Sequence, residues 1–261
     1  MHRGVLVALV FAAATTVTLT AITRKAGAAG VYENAAAEPA FLVSPRQVAL
    51  RGDFEYSLGE SSDAWIYRLS GVFPLRSAFM LAIEQPFLAV NNEDGLDTGI
   101  GDFWLRGSAR LWRGSGRSFS LVGFMNTGSG TRRHFPYASQ TLDVSASLGY
   151  VDSLGAATVF ATVGNTWVNR EKEGETDDAR HTDNLRASAG TIVSPLDGAS
   201  VRLGALFEDY RSGARRWILF AGGTIAATET LHVGADFQTE VGPEAQRVSD
   251  FALSLSATVR F

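Results

Sequence analysis

From about residue 46 to the C-terminus, apolar and polar side chains alternate in blocks of roughly ten to thirteen residues, separated by clusters of Gly, Asp, Asn, Ser and Pro. Successive side chains of an extended strand point to opposite faces, so a sustained period of two predicts a strand with one apolar and one polar face. In the last block Phe251, Leu253, Leu255, Ala257, Val259 and Phe261 share one face, and Asp250, Ala252, Ser254, Ser256, Thr258 and Arg260 share the other. The first block sets Val48, Leu50, Gly52, Phe54, Tyr56 and Leu58 against Gln47, Ala49, Arg51, Asp53, Glu55 and Ser57. The pattern predicts strands over 46–58, 63–73, 78–90, 99–112, 117–127, 138–151, 156–168, 183–194, 199–210, 215–226, 231–240 and 249–261. Blocks 156–168 and 215–226 alternate poorly, which leaves their facing unassigned and makes ten strands the alternative to twelve.

A soluble sandwich also alternates, so the solvent outside the sheet has to be read from the connectors and the aromatic residues. Connectors 59–62, 91–98, 128–137, 169–182, 211–214 and 241–248 include several long, charged ones, whereas 74–77, 113–116, 152–155, 195–198 and 227–230 are all short. Short turns on one side, longer loops on the other and an even strand count are the pattern of an outer-membrane barrel. Phe73, Phe79, Phe119, Tyr150 and Phe261 fall near the short-turn ends, and Tyr56, Trp65, Tyr67, Phe87, Phe103, Phe207, Phe237 and Phe251 near the long-loop ends. Between them lie aliphatic or small residues such as Leu105, Leu121, Val144, Leu203, Leu253 and Leu255. Two aromatic girdles around an aliphatic belt match the two interfaces of a bilayer. The predicted fold is therefore all-β, a closed antiparallel transmembrane β-barrel of about twelve strands over residues 46–261, with short periplasmic turns and longer extracellular loops. Lipid offers no partner to an open strand edge, so the first strand must pair with the last.

The N-terminus fits export. Arg3 precedes an uncharged run from Gly4 to Thr23, and Ala26-Gly27-Ala28 supplies a small-residue cleavage pattern, with Ala35-Ala36-Ala37 as a second one. Residues 1–28 are read as a signal peptide, with cleavage between 28 and 37, and residues 29–45 as a periplasmic linker. An uncleaved anchor is the competing reading, because about 20 apolar residues also span a bilayer. Removing Arg3, Arg24 and Lys25 moves the net charge from -4 to -7, so the mature chain is acidic and unsuited to nucleic acid. With no Cys, neither disulfides nor Cys-ligated metal are available.

The polar faces carry the candidate functional residues, which are expected to line the lumen: Arg51, Asp53, Glu55, Arg68, Glu84, Asp102, Arg106, Arg110, Asp143, Arg186, Arg202, Glu208, Asp236 and Asp250, together with Glu240 and Arg260. Both signs are present, which suggests ion pairs between neighbouring strands in either a wetted wall or a substrate-selecting constriction. Arg suits such pairing, and Lys172 is the sole lysine beyond the signal segment. An enzyme would draw on His134 with Ser129, or on His181 with Asp177, Asp178 and Asp183. A solvated charged loop is the plainer account of both. Neither an H-x-x-x-H spacing nor a G-x-S-x-G element occurs, so no catalytic, cofactor or metal residue is assigned. Asn91, Asn92, Glu93, Asp94 and Asp97 could bind divalent cations only weakly, without EF-hand spacing.

The run Gly99-Ile100-Gly101-Asp102-Phe103-Trp104-Leu105-Arg106-Gly107-Ser108-Ala109-Arg110-Leu111-Trp112, with the preceding Phe79-Met80-Leu81-Ala82-Ile83-Glu84-Gln85-Pro86-Phe87, resembles an element of outer-membrane barrels described as transporters or as the phenol-degradation meta-pathway family. The resemblance implies passive passage of small solutes, apolar or aromatic molecules among them, and no catalytic residues. The tail with Leu253, Leu255, Val259 and a terminal Phe261 resembles the signal read by the barrel-assembly machinery. Outer-membrane lipid, that machinery and a small-molecule solute are the implied partners, and the bacterial outer membrane the implied location.

Overall fold

A computed structural model of the chain describes residues 48–261 apart from 59–62, 77, 93–94, 131–141, 169–182, 212, 214 and 242–250. The expected signal peptide, the linker, Asp250, His134 and His181 lie outside the described residues. The described chain forms β1 (Ala49–Leu58), β2 (Asp63–Arg76), β3 (Phe79–Asn92), β4 (Gly95–Ile100), β5 (Trp104–Arg113), β6 (Arg117–Asn126), β7 (Asp143–Leu154), β8 (Ala157–Val168), β9 (Asn184–Leu196), β10 (Ala199–Tyr210), β11 (Arg215–Ala226), β12 (Leu231–Val241) and β13 (Phe251–Arg260). Every neighbouring pair is antiparallel, and the sheet closes where β13 pairs with β1 from Ala49↔Arg260 to Leu58↔Phe251. The Phe261 N–H donates to the Val48 carbonyl at 2.9 Å, which ends the seam.

The expected single strand over 99–112, preceded by a loop over 91–98, is corrected to two strands that share one position in the wall. β4 pairs with the outer end of β3 from Asn92↔Gly95 to Phe87↔Ile100, and β5 with its inner part from Glu84↔Trp104 to Phe79↔Ala109. Thirteen strands thus fill twelve positions. Between them Gly101, Asp102 and Phe103 face only Gln85 and Pro86, which makes a bulge. Pro86 is the physical cause. Its carbonyl accepts from the Gly101 N–H at 2.9 Å, so the edge it turns to this neighbour lacks an N–H and the ladder cannot run on regularly. The Gln85 side-chain amide donates to the Gly101 carbonyl at 2.9 Å, and the Phe103 N–H donates to Ser129 Oγ at 3.0 Å, so the interrupted backbone is still hydrogen-bonded. Three short turns use glycines at positive φ, including Gly155 at 66° and Gly198 at 78°, where a Cβ would be strained.

The outer face is apolar and exposed, as at Leu121, Leu148, Val163, Leu203 and Leu219. Aromatic rings meet in two groups on it. Phe119 lies 4.9 Å from Tyr150 and 5.9 Å from Trp112 toward the short turns, while Tyr56 lies 5.7 Å from Trp65 and Phe207 lies 4.7 Å from Trp217 toward the long loops. The two poorly alternating blocks now have a facing. β8 turns Phe160, Thr162 and Thr166 inward, and β11 turns Ile218 and Phe220 inward. Their inner sides are partly apolar, so hydropathy could not separate the faces.

Phe160, Gly190, Gly204 and Phe220 are successive cross-strand partners on β8 to β11. A Cβ on Gly190 would stand 2.6 Å from Phe160, and one on Gly204 would stand 2.3 Å from Phe220, so the two rings lie over the bare glycine backbones. They approach each other to 6.4 Å.

Two substitutions on neighbouring residues test this register. Leu148→Arg puts a charge among Leu121 and Val163 on the outer wall and is expected to cost about 2–4 kcal/mol of folding stability in phospholipid bilayers, whereas Ser147→Ala on the inner wall costs under about 1 kcal/mol. Equal costs in reversible urea unfolding would mean that the faces are misassigned.

Candidate functional site

The inner wall holds Arg51, Asp53, Glu55, Arg68, Asp102, Arg106, Asp143, Arg186, Arg202, Glu208, Asp236 and Glu240 as buried residues, and Glu84, Arg110 and Arg260 as partly buried ones. Glu55 and Arg68 pair across β1 and β2, and Arg51 pairs with Asp53 two residues along β1. Glu84 lies 3.6 Å from Arg106. A longer chain of charges crosses four strands. Arg186 Nε on β9 lies 3.1 Å from Glu208 on β10, Arg216 on β11 also bonds Glu208, and Arg216 Nη1 donates to Glu240 on β12 at 3.0 Å. The Tyr210 hydroxyl adds a 2.7 Å bond to Glu208. Stabilising one carboxylate by two guanidiniums and a hydroxyl offsets the cost of removing it from water.

Arg202 Nε donates to Asp236 Oδ1 at 3.0 Å although β11 lies between their strands. Gly222 makes this reach possible, because a Cβ there would sit 1.7 Å from Asp236 Oδ1. At the bulge, Gly130 N–H donates to Asp102 at 2.8 Å and the Asn126 amide donates to Asp143 at 3.1 Å. The Asp102 side chain is thus fixed at the break in the wall. Asp97 is also on the inner side, since the bulge brings odd residues of β4 and even residues of β5 to one face.

Several inward residues were not assigned from sequence. Tyr210 follows from parity once Glu208 is inward. Arg216 belongs to a block whose facing alternation left open. The apolar inward residues carry no signal of their own. Ala49, Val72, Met80, Ala82, Val122, Val151, Phe160, Ile192 and Phe220 form one contiguous buried cluster, mostly in the short-turn halves of their strands. Trp104 and Phe124 pack inward at 5.0 Å, with the Arg106 guanidinium 5.3 Å over Trp104 and that of Arg186 5.5 Å over Phe124. His232 is buried on the inner wall opposite Thr258, with no carboxylate ion pair among the described residues.

Long charged side chains stand on β1, β2, β3 and β5. Besides Asp143 and Arg186, β7 to β9 present the small residues Ser145, Ser147, Gly149, Thr162, Gly164, Thr166, Ser188 and Gly190.

No family model matches the chain and no curated protein matches it. Solved structures do. The chain is similar to an outer-membrane channel of Pseudomonas putida F1 named COG4313, with TM-score 0.65 and 14% identity over 82% of this chain and 95% of that one. It is also similar to the NanC porin, with TM-score 0.61 and 7% identity over 82% and 100%. The KdgM porin, solved with disordered oligogalacturonate, gives TM-score 0.56 and 9% identity over 82% and 99%. At such identities the likeness is one of fold, a closed barrel of the outer-membrane type.

Glu208→Gln tests the charge chain. It leaves Arg186 and Arg216 sharing a neutral partner, and the expected loss is about 3–5 kcal/mol in unfolding from vesicles. A loss below about 1 kcal/mol would show that water screens these charges.

Proposed function

We propose that the chain is an outer-membrane channel for passive passage of small solutes. The observation that carries this reading is the two-sided wall: an apolar, girdled exterior encloses a wall that is polar along β1 and β7 to β9 and bears interleaved charges of both signs. A barrel serving only as an anchor needs the exterior but not a polar interior. The fold likeness to channels and porins supports the reading. Trp104, Phe124, Phe160 and Phe220 on the inner side add surfaces for the apolar or aromatic solutes that the 99–112 motif implies. Export by residues 1–28 and assembly through Leu253, Leu255, Val259 and Phe261 belong to the same proposal.

The apolar cluster favours a second reading, a barrel closed near its short-turn end and used as a scaffold or adhesin. Planar-bilayer recording separates the two. The channel reading expects small conductance steps and weak ion selectivity, since the inner charges nearly balance, and Phe220→Ala should raise the step by removing a ring from the narrow zone. Silence of both proteins, with no solute flux into proteoliposomes, would leave the scaffold reading.

A further inference from the structure

On the inner wall, Phe124, Ser145, Thr166, Asn184 and Tyr210 are successive cross-strand partners on β6, β7, β8, β9 and β10. They form one rung about 19 Å long at four strand spacings of about 4.8 Å. It lies in the long-loop half of the barrel, on the part of the wall where β7 to β9 carry small residues. We propose that this rung is a binding subsite for a neutral, hydroxyl-bearing small molecule, which deepens the channel reading by naming the solute class.

Two polar atoms carry the inference. Thr166 Oγ1 and Asn184 Oδ1 have no hydrogen-bond partner among the described residues, although the two residues are only 6% and 8% exposed. Leaving such groups buried and unpaired costs stability, and an isosteric apolar residue would remove the cost. Their neighbours have defined capacities left over. Ser145 Oγ accepts from the Phe124 N–H at 3.3 Å and keeps its own proton to give. The Tyr210 hydroxyl gives its proton to Glu208 and keeps oxygen lone pairs to accept. The rung thus offers donors and acceptors side by side, the complement of a hydroxyl, which both donates and accepts.

Charge recognition is disfavoured by what the adjoining charges already do. Arg186 lies against Glu208 and over the Phe124 ring, Glu208 also bonds Arg216, and Asp143 is held by Asn126. An anion would compete with Glu208 for Arg186, and a cation would find its nearest carboxylates bonded. The aromatic residues at the two ends of the rung add apolar faces for a carbon skeleton. A polyol and a hydroxylated ring share this chemistry, and the test distinguishes them.

The full chain folded into detergent micelles is titrated calorimetrically with ribitol and, separately, with resorcinol, beside the double variant Thr166→Val/Asn184→Leu. The expected result is saturable binding of one probe by the wild-type chain, weakened about tenfold or more in the variant, whose Tm without ligand is equal or higher. The probe that binds identifies the source, polyol or ring. Saturable binding of neither, equal binding by both proteins, or a lowered Tm of the variant would overturn the subsite, the last because it would make the two groups part of the wall's own bonding. Micelle binding requires no transport. A barrel that binds but passes no current or solute therefore loses the channel reading and keeps the subsite, and one that conducts but binds neither probe does the reverse.

Discussion

In the hydrocarbon of a bilayer no water takes up an unpaired backbone N–H or C=O, and each one left open costs several kcal/mol. The rest of this barrel depends on that penalty. It forces the seam between β1 and β13, paired along the whole length of both strands, and it forbids a free edge anywhere along the lipid-facing wall. The bulge at Gly101–Phe103 shows how strictly it applies. Pro86 removes one donor from the ladder, and the chain answers with a side-chain amide from Gln85 and a hydroxyl from Ser129. The irregularity has a product, because it turns Asp102 inward while leaving the outer belt unbroken.

Once closure is imposed, alternation divides the side chains between lipid and lumen, and the lumen residues must then satisfy one another in little space. Ion pairs do so where strands bring opposite charges within reach, as at Glu55 and Arg68. Where the partner is two strands away, a glycine between them lets the side chain cross, as Gly222 does for Asp236. The same device lets Phe160 and Phe220 cover Gly190 and Gly204. Small residues in this wall are placed by what passes over them.

Class, closure and the facing of many of the inner charges among the described residues were legible in the sequence because lipid imposes a strict apolar exterior, which alternation records directly. Arg68, Arg186 and Glu208 fall on the inner wall by parity alone. Three things were hidden. The split into β4 and β5 depends on which side of β3 lacks the Pro86 N–H, a matter of register and not of hydropathy. Phe160, Ile218 and Phe220 face inward, and a residue that is apolar on an otherwise polar face erases the contrast that alternation needs. The rung at Thr166 and Asn184 was hidden for a third reason: Thr and Asn look alike whether bonded or unbonded, and only the packed structure shows that no partner among the described residues reaches Oγ1 and Oδ1.

In the proposed channel, the division of the inner wall has a consequence for selection. Opposite charges in direct contact produce fields that fall off within a few ångströms, so the paired arginines and carboxylates on β1 to β5 present a passing solute with little net attraction for either sign. Bonded to each other, they are held in fixed positions on the inner wall. On β7 to β9 the inner wall is mainly Ser, Thr and Gly, with Asp143 and Arg186 as its charged members. In the proposed channel, exclusion by the charged groups and hydrogen bonding by the neutral ones would act on different properties of the solute, size and hydroxyl content. A change to the charged side should alter what fits, and a change to the neutral side what is held.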